Sequence, residues 1–230
     1  MYTDVPLSAS PQTDILAVLP RGRHAAPRAV VRETQRARML EAMVQAAAEK
    51  GYARVVVADV IERAGVSRKT FYEQFANKED CFLAAYDAGV DRLLAAIDGA
   101  LAEPTPDWLA AARRAVEVYL TSMAASPAFA QACLIEVLGA GPAALARRDL
   151  VQDRFADQLA AIHRRARTDI PAIPELAPHT FRAAVGAVNE LVTAHVREHG
   201  APTLPELTDA ILDVHVALLV GRELAARIAS

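Results

Sequence analysis

Apolar residues recur three and four positions apart along most of this chain, the spacing that places side chains on one face of a helix. Met39, Leu40, Met43, Val44 and Ala47 predict a first helix over residues 31–50, which Gly51 ends. Val57, Val60 and Ile61 predict a second, short helix over 57–63. Gly65 follows, able to take the left-handed backbone that closes a helix because it has no Cβ to clash. Val66 is an apolar plug in the turn. Ser67 can accept a hydrogen bond from a free amide and so start a third helix, whose Phe71 and Phe75 share an inward face. Asn77, with Asp80 three residues on, caps a fourth helix from Lys78 to about Ala100 that buries Phe82, Tyr86, Val90, Leu93 and Ile97. Pro104 and Pro106 interrupt the pattern. Helices are then expected over Asp107–Ala125, Pro127–Leu138, Pro142–Thr168, Pro178–Glu198 and Pro205–Ile228, each beginning near a proline, a residue tolerated in a first turn. The connections are Gly139–Gly141 and Pro171–Pro178. No internal repeat is evident, and the fold class is all-α.

Helix, glycine turn and a short helix with a polar outer face make the helix-turn-helix pattern. Arg68, Lys69, Thr70, Tyr72 and Gln74 fall on the faces that Phe71 and Phe75 leave free. The string AGVSRKTFYEQFANKED also resembles the DNA-binding signature of TetR-type transcriptional regulators, AGVS..TFY.HF..KE. The resemblance implies an N-terminal three-helix DNA-binding domain followed by a helical ligand-binding and dimerisation domain. Here that means a disordered leader over residues 1–20, a DNA-binding domain with a basic arm over 21–78, and a regulatory body over 79–230. One departure stands out. TetR-type proteins usually carry threonine just before the second helix, to cap it and meet the DNA backbone, and this chain has Val55-Val56-Val57. A lost hydroxyl cap costs about 1 kcal/mol, and Arg54 is the residue expected to restore the contact. Asp59 suits the helix dipole there but repels phosphate.

On this reading Arg68 and Lys69 reach base edges in the major groove, where Arg or Lys to guanine is the commonest specific pairing. Ser67, Thr70, Tyr72, Gln74 and Lys78 hold phosphates, Lys78 by its match to the family's phosphate-contacting lysine. The partners expected are double-stranded DNA with a palindromic operator and a second copy of the chain. The family packs its last two helices against a two-fold mate; here they carry Ala183, Ala184, Ala187, Val188 and Leu191, then Leu207, Ile211, Leu212, Val214, Leu218 and Leu219. The resemblance also implies a ligand cavity inside the later helices. Tyr86, Trp108, Tyr119, Phe129, Cys133, Phe155, His163 and Asn189 are its expected lining, and the low polarity there points to an apolar or amphipathic small-molecule effector. Ligand would release a repressor from its operator by changing the spacing of the two reading helices.

Charge sharpens the picture. The formal net charge of −3 hides an asymmetry, because Arg21 to Lys78 holds twelve Lys/Arg against six Asp/Glu, while Glu79 to Ser230 holds thirteen against twenty. A basic N-terminal third on an acidic body suits a reader of nucleic acid. Arg21, Arg23, His24 and Arg28 form a flexible basic arm with two readings, a minor-groove contact or a solvated tail. No apolar run is long enough to cross a membrane, and the N-terminus lacks the pattern of a secretory signal. Cys81 and Cys133 form no paired ligand motif, so reduced thiols in a cytoplasm are expected. Two rival functions are open to the sequence: a helix-turn-helix DNA binder without an effector, and a helical metalloenzyme using His195 and His199 with Glu190 or Glu198. The second lacks H-E-x-x-H, paired cysteines or a nucleophile motif. Neither catalysis nor a cofactor is expected.

Overall fold

The computed structural model describes residues 28–220. The expected leader, the Arg21–His24 part of the arm and the end of the final helix through Ile228 lie outside the described residues. Nine α-helices are found among those described, with no strand: α1 Arg28–Lys50, α2 Val57–Ala64, α3 Arg68–Tyr72, α4 Lys78–Ala102, α5 Trp108–Ala125, α6 Pro127–Leu134, α7 Pro142–Asp169, α8 Pro178–His199 and α9 Thr208–Leu219. Single 3-10 turns occupy Tyr52–Arg54, Glu136–Gly139 and Leu204–Leu207.

Three boundaries differ from those expected. α1 starts at Arg28, so this arginine is helical rather than part of a flexible arm. Arg28, Ala29 and Val30 are all exposed, and a turn that buries nothing leaves no trace in the hydrophobic period. The helix expected through Leu138 ends at Leu134 and tightens into a 3-10 turn, and the one expected from Pro205 begins with another.

Two large cores divide the molecule. The first gathers Met39, Met43, Val55, Val60, Phe71, Phe75, Phe82 and Tyr86, and continues into Val137, Ala140, Ala144 and Val151 of the later chain. Packing therefore does not stop at Lys78: α4 is shared, its first turns closing the core of α1–α3 and its later turns entering the body. The second core joins Leu93 and Ile97 of α4 with Val116, Leu120 and Met123 of α5, Leu134 of α6, Val192 and Val196 of α8, and Ile211 and Leu212 of α9. Alanines at 111, 112 and 115 let α5 approach its neighbours closely. On the outside, Asp87–Arg147 (3.2 Å), Asp91–Arg154 (2.9 Å) and Asp98–Gln158 (2.6 Å) rise in register, so α4 and α7 run in the same direction. These exposed pairs mark register more than they stabilise.

Gly89 of α4 is buried, and a Cβ built on it would land inside the Phe129 ring of α6. Phe129 sits on the helix backbone because nothing larger is there. Gly89→Ala should therefore destabilise the fold by about 1–2 kcal/mol by overpacking, despite alanine's better helix propensity. In a Phe129→Ala background the same change should stabilise by about 0.5–1 kcal/mol, the propensity gain alone. Urea unfolding of the four proteins checks the sign reversal.

Candidate nucleic-acid interface and ligand cavity

The turn before α3 is built as the sequence requires. Gly65 takes φ 61° and ψ 43°, its amide donating to Glu62 O while Val66 N donates to Ile61 O at 3.2 Å. A side chain at this position would be strained and would also strike the Arg38 guanidinium. Ser67 Oγ accepts from Thr70 N at 3.0 Å and lies 2.8 Å from Thr70 Oγ1, so the two hydroxyls pair across the first turn. Phe71 and Phe75 are 0% and 2% exposed, their rings 5.5 Å apart, and the Arg36 guanidinium lies over Phe75. With that face buried, Arg68, Lys69 and Tyr72 point to solvent, Lys69 having 86% of its side chain exposed and only a loose contact with Glu73 at 3.8 Å.

The remaining expected contacts of this face are engaged within the protein. Gln74 Nε2 donates to Arg32 O at 3.3 Å, tying the end of α3 to α1. Arg54 Nε donates to Lys50 O. Lys78 Nζ donates to the carbonyls of Tyr52 (3.2 Å), Ala53 (3.3 Å) and Val55 (3.0 Å), and lies 4.5 Å from the Tyr52 ring centroid. An ammonium has three donors, and this lysine, expected on a phosphate, directs them at the carbonyls of Tyr52, Ala53 and Val55. At the start of α2, where the family's threonine is missing, no side chain caps the helix and Val56 is 54% exposed. Asp59 Oδ2 instead accepts from Val56 N at 2.7 Å and pairs with Lys50. Those two contacts, Lys50 first, hold its carboxyl below the usual carboxylate range.

Nothing in the sequence marks Glu136, which grips this turn from the other side. Its Oε2 accepts from Tyr52 N at 2.7 Å across 84 residues of chain, while Gln131 Nε2 donates to its Oε1 at 3.3 Å. The Tyr52 ring in turn packs on Phe82 with centroids 4.7 Å apart.

A cavity of about 130 Å³ lies between α4, α5, α6, α7, α8 and α9. Five of the eight expected residues line it: Tyr86, Tyr119, Cys133, Phe155 and Asn189. Trp108, Phe129 and His163 do not. Trp108 packs with Ala166, Ile173 and Val220 in a separate cluster, and Phe129 is seated on Gly89. His163 is buried against Phe181, its Nε2 3.2 Å from Leu219 O. Aromatic and histidine side chains fill cores as readily as pockets, so residue type alone does not separate the two. Burial pushes the Cys133 thiol up to about 12, against smaller opposing effects of the Tyr86 hydroxyl and the Arg148 charge. Both cysteines are free. Arg148, Gln152 and His215 also line the cavity. The helical spacing of Arg148, Gln152 and Phe155 was available as a signal, but polar residues on a helix ordinarily mark its solvent face.

Residues 39–85, from the buried half of α1 to the first turns of α4, match the family described as bacterial regulatory proteins, tetR family. Over these residues the chain carries a domain of that family. The HTH-type transcriptional regulator EthR of Mycolicibacterium smegmatis is 34% identical over 114 residues, 49% of this chain and 51% of that one. The chain thus spans about half the length of the curated relative it matches. Among solved structures, the fatty acid degradation regulator FadR of Bacillus halodurans superposes with a TM-score of 0.71 at 23% identity, covering 81% of this chain and 95% of the other. FadR of Bacillus subtilis, determined in complex with stearoyl-CoA, gives 0.69 at 18% identity, over 81% and 98%. At those identities the likeness is one of fold.

His195 Nε2 lies 2.8 Å from Thr203 Oγ1, and its ring meets His199 edge to face. Among the described residues no group of three His, Cys, Asp or Glu is placed to hold a metal ion, and no helix is long and apolar enough to cross a membrane.

Burial depresses His215 from 6.5 to about 4, and burial also lowers His163. Between those values the unfolded chain binds more protons than the folded one, so stability is present above pH 6.5 and is lost as pH falls towards 4. The His215 share is about 3 kcal/mol. Urea midpoints at pH 7 and 4.5 should show a smaller acid loss in His215→Leu than in the parent chain.

Proposed function

We propose that this chain is a homodimeric transcriptional regulator that reads a roughly palindromic site on duplex DNA with the exposed face of α3. It acts as a repressor, released by an apolar or amphipathic small molecule in the cavity of the body. The observation that carries the reading is the division of α3 itself. Phe71 and Phe75 are locked inward, and Arg68, Lys69 and Tyr72 are left outward on a helix too short to serve as a packing element. A short helix with one buried face and a cationic outer face fits the major groove.

Arg68 and Lys69 are assigned to base edges, and Ser67, Thr70 and Tyr72 to phosphates, with Arg54 beside them at the start of α2. Gln74 and Lys78 act through the protein, holding α3 on α1 and closing the 3-10 turn before α2. The relative named as an HTH-type transcriptional regulator supports the assignment.

For the dimer, the residues first grouped on the last two helices divide between two faces. Ala184, Ile211, Leu212 and Leu219 are buried within the chain, whereas Ala183, Ala187, Leu191 and Leu218 are exposed. Gly186, Ala210 and Ala217 share that exposed side. This small-residue and leucine stripe is the proposed two-fold contact, close enough in side-chain size for α8 and α9 to meet their mates. The stearoyl-CoA complex of Bacillus subtilis FadR, a regulator of this fold, supports a ligand as effector.

Selection of random duplexes on the purified chain, followed by sequencing, tests the reading. A palindromic consensus is expected. Lys69→Ala should lower discrimination at one base position per half-site by about tenfold, and Tyr72→Phe should weaken all sequences alike. Ala187→Arg should yield monomers in sedimentation and lose operator affinity. A parent chain that is monomeric and enriches no sequence at physiological salt would overturn it.

A further inference from the structure

The apolar cavity carries two polar side chains of α7 on its wall, Arg148 and Gln152. Gln152 is 8% exposed and lines the cavity. An amide at the wall of an apolar cavity offers a ligand's polar atoms both a donor and an acceptor. Arg148, one turn earlier on α7, lines the same wall and is partly buried. The carboxylates around it have other partners: Asp87 pairs with Arg147, Asp91 with Arg154, and Asp149 and Asp153 with Arg182. Arg148 therefore lines an apolar chamber with no carboxylate paired to it among the described residues. It is close enough to Tyr86 and Cys133 for its charge to favour their ionised forms.

We propose that the cavity takes a small amphiphilic carboxylate, its head held by Arg148 and Gln152 and its apolar body lying against Leu93, Ile97 and Phe155. A guanidinium fork matches a carboxylate in shape and charge, and an adjacent amide donor completes the cradle. Volume sets the size of the body. An apolar cavity of about 150 Å³ holds a benzene ring, and this one is about 130 Å³. The ligand body is then about one aromatic ring or a six-carbon chain, and a stearoyl chain is excluded without opening the bundle. This assignment rests on the effector reading above and names its ligand class.

The test is calorimetric titration of the full chain with hexanoate and benzoate, each against its neutral counterpart, 1-hexanol or benzyl alcohol, and against palmitate. A carboxylate is expected to bind at least tenfold more tightly than its alcohol. Arg148→Met should erase that ratio while leaving alcohol affinity within about twofold, which also shows that the variant is folded and its cavity intact. Gln152→Leu should weaken the carboxylate several-fold. Alcohols binding as well as carboxylates, no binding by either, or an unchanged ratio in Arg148→Met would each overturn the head-group assignment. Palmitate binding as tightly as hexanoate would overturn the size limit. Release of the selected DNA site by a neutral ligand would sink the carboxylate while sparing the effector reading. A carboxylate that binds at Arg148 but leaves the DNA complex intact would do the reverse.

Discussion

The placing of α2 and α3 depends on how the turn at Tyr52 is held. That turn joins α1 to α2, and three kinds of contact fix it from different sides. Lys78 donates to its carbonyls, Glu136 accepts from its first amide, and Phe82 packs on its aromatic ring. A 3-10 turn leaves backbone groups without intrahelical partners, and leaving them unpaired in a partly buried site would cost on the order of 1–3 kcal/mol each. Two charged side chains are the cheapest way to pair several such groups at once. Because Lys78 opens α4 and Glu136 follows α6, the turn is tied to the body as firmly as to its own domain. α2 and α3 inherit their position from it.

The local parts of this arrangement were legible in the sequence. Gly65, Ser67, Phe71 and Phe75 lie within eleven residues, and each has one physical job that few other residues perform: a left-handed turn, a cap, two anchors. Short-range signals of that kind survive without knowledge of the fold. Glu136 was invisible because its partner is 84 residues away and an acid after a helix has no pattern. Lys78 was visible as a residue but not as a contact, since a long flexible ammonium is placed by whatever acceptors lie within reach. The stripes on α8 and α9 were legible as helical and ambiguous in direction. A helix with apolar residues on both faces has no single inward side, and only packing separates Ala184 from Ala187.

The cavity failed to show itself for the opposite reason. Its polar wall, the buried Gln152 with the half-buried Arg148 and His215, lies on inward faces of helices, where amphipathic reasoning expects apolar residues. A place where local pattern and observed burial disagree is where a functional site is to be sought. Trp108 and His163 mislead in the other direction: a large aromatic and a titratable ring in an apolar stretch suggest a pocket, yet both are satisfied inside small satellite cores.

The same piece of chain serves the cavity and the turn. Cys133 and Leu134 close the wall of the chamber at the end of α6, and Glu136, two residues on, holds Tyr52 N. Phe129, one turn before Cys133, is seated on Gly89 at the point where α4 passes from one core to the other. A helix of eight residues fixed at both ends in this way has little freedom to bend, so a body that swelled to admit a ligand would have to move α6 as a unit. Glu136 would move with it, and the turn it holds could follow only by shifting α2 and α3 relative to a mate. Coupling between the chamber and α3 would then need no long pathway. It needs one short rigid helix, a carboxylate at its end, and a turn whose backbone has no other partner for that amide.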